Sequence, residues 1–162
     1  GAPGGIGMVK LMGRESGFLA LEVAVSAGAE YVVVPELQLD IGKLCENLHY
    51  SRKRGKTHSL IILAEGVMSG SELKSRLQDT GGYDARVTVL GYIQRGGSPT
   101  SFDTVLASRM GAFAVESLLG GKSASMVCSL GGRIALCPFD EARETGKYLS
   151  PELLALVEKL GV

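Results

Sequence analysis

The chain has no tryptophan, two histidines and three cysteines, and aromatic residues make up 6% of its 162 positions. Cys45, Cys128 and Cys137 have neither an even count nor metal-ligand spacing, which argues against a disulfide framework or a structural zinc site. They read as reduced, mostly buried thiols, and none stands in a setting that would activate a nucleophile. His49 and His58 lack metal spacing too, so no metal ligands are expected, and both read as surface or packing residues. Charge of either sign is not in excess. Seventeen Lys and Arg balance seventeen Asp and Glu, so no basic field favours nucleic acid or an anionic membrane. No apolar run approaches the roughly 18 residues needed to cross a bilayer, and no signal-peptide pattern opens the sequence. The expected location is the cytoplasm.

What is present is an alternation of apolar runs and helical periodicity. The length suits one domain, or one domain and a small lobe, with a real core. Strands are expected near 6–12, 31–35, 59–64, 86–91 and 125–129, with a short one near 133–137. Helices are expected near 16–28, 40–54, 70–79, 99–119 and 151–160. This order predicts an α/β fold with a mostly parallel sheet and helices on both faces. Asp40 and Ser150-Pro151-Glu152 read as helix starts, as do Ser98-Pro99. The helix from Pro99 carries Phe102, Val105, Leu106, Met110, Phe113, Ala114 and Leu118 at helical spacing and ends at Gly120-Gly121.

Three expected strands each end in a charged group beside glycine. The first runs Gly7-Met8-Val9-Lys10-Leu11-Met12 into Gly13-Arg14. The second runs Leu60-Ile61-Ile62-Leu63-Ala64 into Glu65-Gly66. The third runs Arg86-Val87-Thr88-Val89 through Leu90-Gly91-Tyr92-Ile93-Gln94 into Arg95-Gly96-Gly97. In open parallel α/β sheets the carboxyl ends of the strands are where ligands bind. Two arginines suit phosphate, and a carboxylate accepts hydrogen bonds from hydroxyls. The plainer alternative for each is a short βα turn with a solvated charge.

In order and spacing, Met12-Gly13-Arg14, Tyr31-Val32-Val33-Val34-Pro35-Glu36, the strand ending at Glu65, and Val89 to Pro99 resemble the 6-phosphofructokinase family. Phe102-Asp103 and Ala107-Ser108-Arg109-Met110-Gly111 extend the resemblance, which spans about residues 7 to 120. It implies the substrate-binding half of a two-domain phosphofructokinase-like fold, in a glycolytic phosphotransferase that phosphorylates fructose 6-phosphate. Met12, Gly13 and Arg14 match the segment that contacts the sugar phosphate and the transferring phosphoryl group, with Arg14 as the catalytic residue. Glu65 matches the carboxylate that binds fructose hydroxyls. Tyr92, Ile93, Gln94 and Arg95 match the segment that closes over the sugar phosphate. Arg86 matches an arginine that reaches a neighbouring subunit's substrate, which implies a homodimer or homotetramer. Glu30, Arg54 and Lys56 match effector-binding positions of allosteric members. The plainer reading of Arg52-Lys53-Arg54-Gly55-Lys56 is a basic helix end favoured by the helix dipole.

Two departures stand out. Tyr92 occupies a position where many members carry histidine, and a phenol cannot supply an imidazolium charge. Gly5 occupies the place of a second cross-subunit arginine. The family's donor loop and its Thr-Ile-Asp-Asn-Asp base motif are not in this sequence. The implied organisation is a sugar-phosphate domain over 1–120 and a strand-helix segment over 121–162, with the donor-binding half outside the chain and the isolated chain inactive. Magnesium with ATP or pyrophosphate would be held mainly by that other half. The string Gly5 to Gly17 is similar to the branch that includes pyrophosphate users. The alternative function is a non-catalytic sugar-phosphate-binding or regulatory module. Asp84 and Asp103 lie near the motifs without a matched role.

Overall fold

A computed structural model describes residues 5–144 and 148–160. In chain order the elements are β1 (Ile6–Leu11), α1 (Phe18–Ala27), β2 (Tyr31–Val33), α2 (Ile41–Lys53), β3 (Ser59–Ala64), α3 (Gly70–Gly81) and β4 (Ala85–Val89). A 3-10 turn at Gly91–Gln94 follows, then α4 (Ser101–Leu119), β5 (Ser125–Leu130), β6 (Arg133–Pro138), α5 (Phe139–Glu144) and α6 (Pro151–Leu160). They fall into two compact units. One runs to Arg95 and resumes at Leu149; the other is Gly96–Tyr148.

The first unit is a four-stranded sheet in the order β2-β3-β1-β4, parallel throughout. Its inner strand β3 reads Ser-Leu-Ile-Ile-Leu-Ala because both of its faces are covered, and Ile61, Ile62, Leu63 and Ala64 are all buried. The pleat divides them. Ile61 and Leu63 join Ile6, Met8, Leu44, Leu48, Leu73 and Leu77 on the side of α2 and α3. Ile62 and Ala64 join Leu11, Ala20, Leu21, Ala24 and Val157 on the side of α1 and α6. Each fully buried Leu or Ile contributes about 1.5–3 kcal/mol. Helices therefore lie on both faces of a parallel sheet, as the alternation of runs predicts.

The caps explain where helices start. Asp40 accepts from the Lys43 N–H at 2.9 Å, and Ser69 accepts from Glu72 N–H at 3.1 Å. Ser150 accepts from Leu153 N–H at 3.3 Å. The start expected at Ser98-Pro99 is displaced to Thr100. Thr100 accepts from the Asp103 N–H at 3.2 Å, while the Asp103 carboxylate accepts from the Thr100 N–H at 2.9 Å. This reciprocal capping box satisfies two end groups at once and outcompetes a lone serine. Asp103, which matched no role, is a cap, and the Thr100 bonds hold its carboxyl below the ordinary range.

The second unit contains α4, the antiparallel hairpin β5–β6 and α5. Gly131 and Gly132 both have positive φ (57° and 79°), as a two-residue turn between twisted strands requires. The units divide at 95/96 and 148/149, not at the expected residue 120, and α6, which belongs to the first, buries Val157 in that unit's core. Of the three thiols only Cys45 is buried; Cys128 and Cys137 are half-exposed in the hairpin.

Candidate functional site

Three neighbouring strands deliver Arg14, Glu65 and Arg95 to one edge of the sheet. β1 and β3 run in step from Ile6↔Ser59 to Leu11↔Ala64, so Met12-Gly13-Arg14 and Glu65 leave the sheet side by side. The Glu65 N–H still donates to the Leu11 carbonyl at 2.9 Å, and Leu90 N–H donates to the Lys10 carbonyl at 3.2 Å. The sheet ladder thus continues one step past each strand into the loops.

Side chains then fix the Met12–Gly17 loop. Glu65 Oε1 accepts from the N–H groups of Gly13 (3.1 Å) and Arg14 (2.8 Å). Gln94 Oε1 accepts from the Met12 N–H at 3.2 Å, and the Gln94 amide donates to the Gly91 carbonyl at 3.1 Å. The Glu36 carboxylate accepts from the Gly17 N–H at 2.8 and 3.1 Å, just before α1. These bonds hold an uncommon backbone, with Gly13 at φ 155° and Arg14 at φ 51°. A left-handed non-glycine residue costs about 1–2 kcal/mol, so the loop needs such bracing. The Arg14 N–H first, and the Gly13 N–H second, hold the Glu65 carboxyl below the ordinary range; Lys10 and Arg95 act the same way.

The loop after β4 does not continue as strand to 91. It turns at Leu90 into Gly91–Gln94, with Gly91 at φ 53°, and the Arg95 N–H donates to the Tyr92 carbonyl at 2.9 Å. The turn exposes Tyr92 and Ile93, while the Arg95 guanidinium lies over the Tyr92 ring at 5.2 Å. Such stacking presents the planar fork of arginine to solvent.

Met12, Gly13, Arg14, Glu65 and the segment Tyr92 to Arg95 therefore share one edge. Arg86 does not. It pairs with Gly7 near the amino ends of the strands, far along β4 from Arg95. Gly5 lies at that same amino end, its carbonyl accepting from Ser59 N–H at 3.2 Å.

The residues matched to effector binding are also away from the edge. Lys56 Nζ is 3.2 Å from Glu30 Oε1 and donates to the Leu160 carbonyl at 3.3 Å. Glu30 Oε2 accepts from the Leu60 N–H at 2.5 Å. Arg54 caps α2 and, with Glu30, Tyr31, Tyr50 and Leu154, lines a cavity of about 420 Å³. Burial, then Asp40 and Glu158, push the Tyr31 phenol up.

Sequence reasoning missed the roles of Glu36 and Gly66, and for Gln94, matched as substrate-binding, it missed the bracing contact. Glu36 stood inside a matched string without a role, yet it braces the loop that carries Arg14. Gln94 acts through its amide on Met12, which no local pattern signals. Gly66 is required by space: a Cβ there would overlap the Arg14 carbonyl oxygen. Among the described residues no group of three or more His, Cys, Asp or Glu side chains could hold a metal ion.

The family model for phosphofructokinase matches residues 3–118. The chain is 41% identical over 155 residues to the ATP-dependent 6-phosphofructokinase of Clostridium acetobutylicum, covering 96% of this chain and 49% of that protein. It therefore spans about half the length of the curated relatives it matches. Among solved structures, Pichia pastoris phosphofructokinase in the T-state superposes with a TM-score of 0.80 at 27% identity, over 99% of this chain and 19% of that one. The pyrophosphate-dependent phosphofructokinase of Marinobacter aquaeolei shares the fold, with a TM-score of 0.72 at 18% identity, over 98% of this chain and 48% of that one.

Proposed function

The chain belongs to the phosphofructokinase family, and from that premise we propose that it is the sugar-phosphate-binding half of a 6-phosphofructokinase. The reaction is transfer of a phosphoryl group from ATP or pyrophosphate to the 1-hydroxyl of fructose 6-phosphate. The hydroxyl oxygen forms the new bond to phosphorus, the donor's bridging P–O bond breaks, and ADP or orthophosphate leaves. The observation that carries this reading is the convergence of Arg14, Glu65 and Arg95 at the carboxyl ends of three adjacent parallel strands. Arg95 grips the sugar phosphate through its fork of donors. Glu65 keeps Oε1 on the Arg14 turn and offers its other oxygen to the fructose hydroxyls. Arg14 neutralises charge on the moving phosphoryl group, and Met12 and Gly13 shape the wall beside it. Catalysis of this kind is mostly positioning and charge stabilisation.

The donor, its magnesium and the base that takes the hydroxyl proton belong to the other half of the enzyme. The name of the 41%-identical relative favours ATP as donor. Arg86, at the amino end of the sheet, serves a neighbouring subunit of a homodimer or homotetramer. Glu30, Arg54 and Lys56 border an effector cavity, and the enzyme works in the cytoplasm. The test is the full-length protein assayed with fructose 6-phosphate and either donor. Formation of fructose 1,6-bisphosphate is expected. Binding of fructose 6-phosphate without turnover with either donor would replace the enzyme by a binding module.

A further inference from the structure

Lys10 is a cation that the roles above leave unused. It lies on the inner strand β1, half-buried, paired with Leu63 on β3 and with Val89 on β4. Side chains two apart on a strand share a face. Lys10 therefore stands on the same face as Leu63 and, one step beyond it, Glu65. On that face the cover ends at the carboxyl edge, where Val89 is 64% exposed. The Lys10 carbonyl accepts from the Leu90 N–H, which places this lysine at the foot of the turn that carries Tyr92 and Arg95. Its ammonium is close enough to Glu65 to help keep that carboxyl ionised, with a larger effect than Arg95 has. Among the described residues the ion pairs are Lys56–Glu30, Lys74–Asp84 and Arg76–Glu72, and the Lys10 ammonium enters neither an ion pair nor a hydrogen bond.

A half-buried lysine whose ammonium enters no ion pair or hydrogen bond among the described residues, at the base of a loop holding an arginine, is placed to receive an anion. A phosphate monoester carries close to two charges near neutral pH, and Arg95 supplies one. The other exposed side chain of that turn facing Arg95 is Tyr92, which is neutral. We propose that Lys10 is a second cation for the sugar phosphate, reaching up its own strand face to the phosphate that Arg95 grips. This rests on the sugar-phosphate reading of the edge and adds to it a residue that sets the preference for a phosphorylated over a neutral sugar. A lysine suits the place because its single mobile charge adapts to a phosphate already oriented by the arginine fork.

The test is direct binding of fructose 6-phosphate by calorimetry to the full-length protein, with Lys10→Met, Lys10→Gln and Lys10→Arg beside the unaltered protein. The neutral variants are expected to bind about tenfold more weakly, equivalent to about 1.4 kcal/mol, and Lys10→Arg within about threefold of the parent. The neutral variants should also lose part of the salt dependence of binding, since one cation facing the phosphate is gone. Failure of the unaltered protein to bind fructose 6-phosphate would overturn the reading of the edge itself. Binding by the unaltered protein that Lys10→Met or Lys10→Gln leaves within twofold would overturn only the role of Lys10. Unfolding of both neutral variants would also overturn it, by placing Lys10 among the groups that support the sheet.

Discussion

Gly66→Ala tests whether the Arg14 turn and the Glu65 strand end act as one rigid piece. Gly66 follows Glu65 directly and has no positive φ to explain its identity, so the requirement is for space. An added Cβ would overlap the Arg14 carbonyl oxygen and stand 3.1 Å from both the Arg14 carbonyl carbon and Glu15 Cα. Carbon atoms pack at about 3.5–4.0 Å, so relief takes a backbone displacement of roughly 0.5–1 Å on one side. No flexible side chain can absorb it, because the contacted atoms are main chain. Overpacking of this kind costs about 1–3 kcal/mol of stability. A shift of about 1 Å in a positioning loop can cost on the order of 100-fold in rate. The expected result in the full-length enzyme is a fall in kcat/KM of about that size, with a folded protein at the assay temperature. Gly70→Ala is the control. The three atoms nearest its Cβ all belong to the Val87 side chain, so it should lower the denaturation midpoint while leaving kcat/KM nearly unchanged. A Gly66→Ala enzyme with kcat/KM within threefold of the parent would refute the coupling.

Arg95→Ala should weaken use of fructose 6-phosphate by at least about tenfold, since charge-assisted bonds contribute about 1.5–3 kcal/mol each; steady-state kinetics that leave both KM and kcat unchanged would contradict it. Tyr92→Phe keeps the ring under Arg95 and should cost less than Tyr92→Ala, a ranking that the same kinetics check. The Glu65 carboxyl is held below its ordinary 4.5 mainly by the Arg14 and Gly13 N–H groups. Its stabilisation is therefore fully present above about that pH and lost as pH falls through the lowered value. Denaturation midpoints should show Glu65→Gln less stable than the parent near neutral pH, with the gap closing in acid; a gap that widened on acidification would reverse the sign. Leu63→Ala, at a fully buried position of β3, should cost about 2–5 kcal/mol by chemical denaturation; a cost under 1 kcal/mol would mean that the core repacks there.

The parallel sheet was legible because its inner strand is apolar on both faces and its helices are periodic. Leu60 to Ala64 admits no surface strand, and Asp40 announces α2 by its own chemistry. The charged strand ends Arg14, Glu65 and Arg95 were legible for the same reason, since strands running in step bring their following residues together. What escaped depends on partners distant in sequence. Glu36 reaches Gly17, Gln94 reaches Met12, and Gly66 makes room for Arg14, and none of these leaves a local pattern. The start of α4 was misplaced because Ser98-Pro99 and Thr100-Asp103 compete, and only the second pair forms a reciprocal cap. The short turn at Gly91 replaced the last expected strand residues because its left-handed glycine ends the β4 ladder. The expected boundary at residue 120 follows the end of the family resemblance, and the packing of Val157 with the α1 side depends on partners distant in sequence.

The most direct test of the central claim is a crystal structure of the full-length protein with fructose 6-phosphate bound. The account predicts the phosphate on the Arg95 guanidinium and the fructose hydroxyls within hydrogen-bond distance of Glu65, beside the Met12–Arg14 turn. Sugar phosphate found in the cavity lined by Glu30, Tyr31 and Arg54, or at the amino end of the sheet beside its own Arg86, with the carboxyl edge empty, would contradict it.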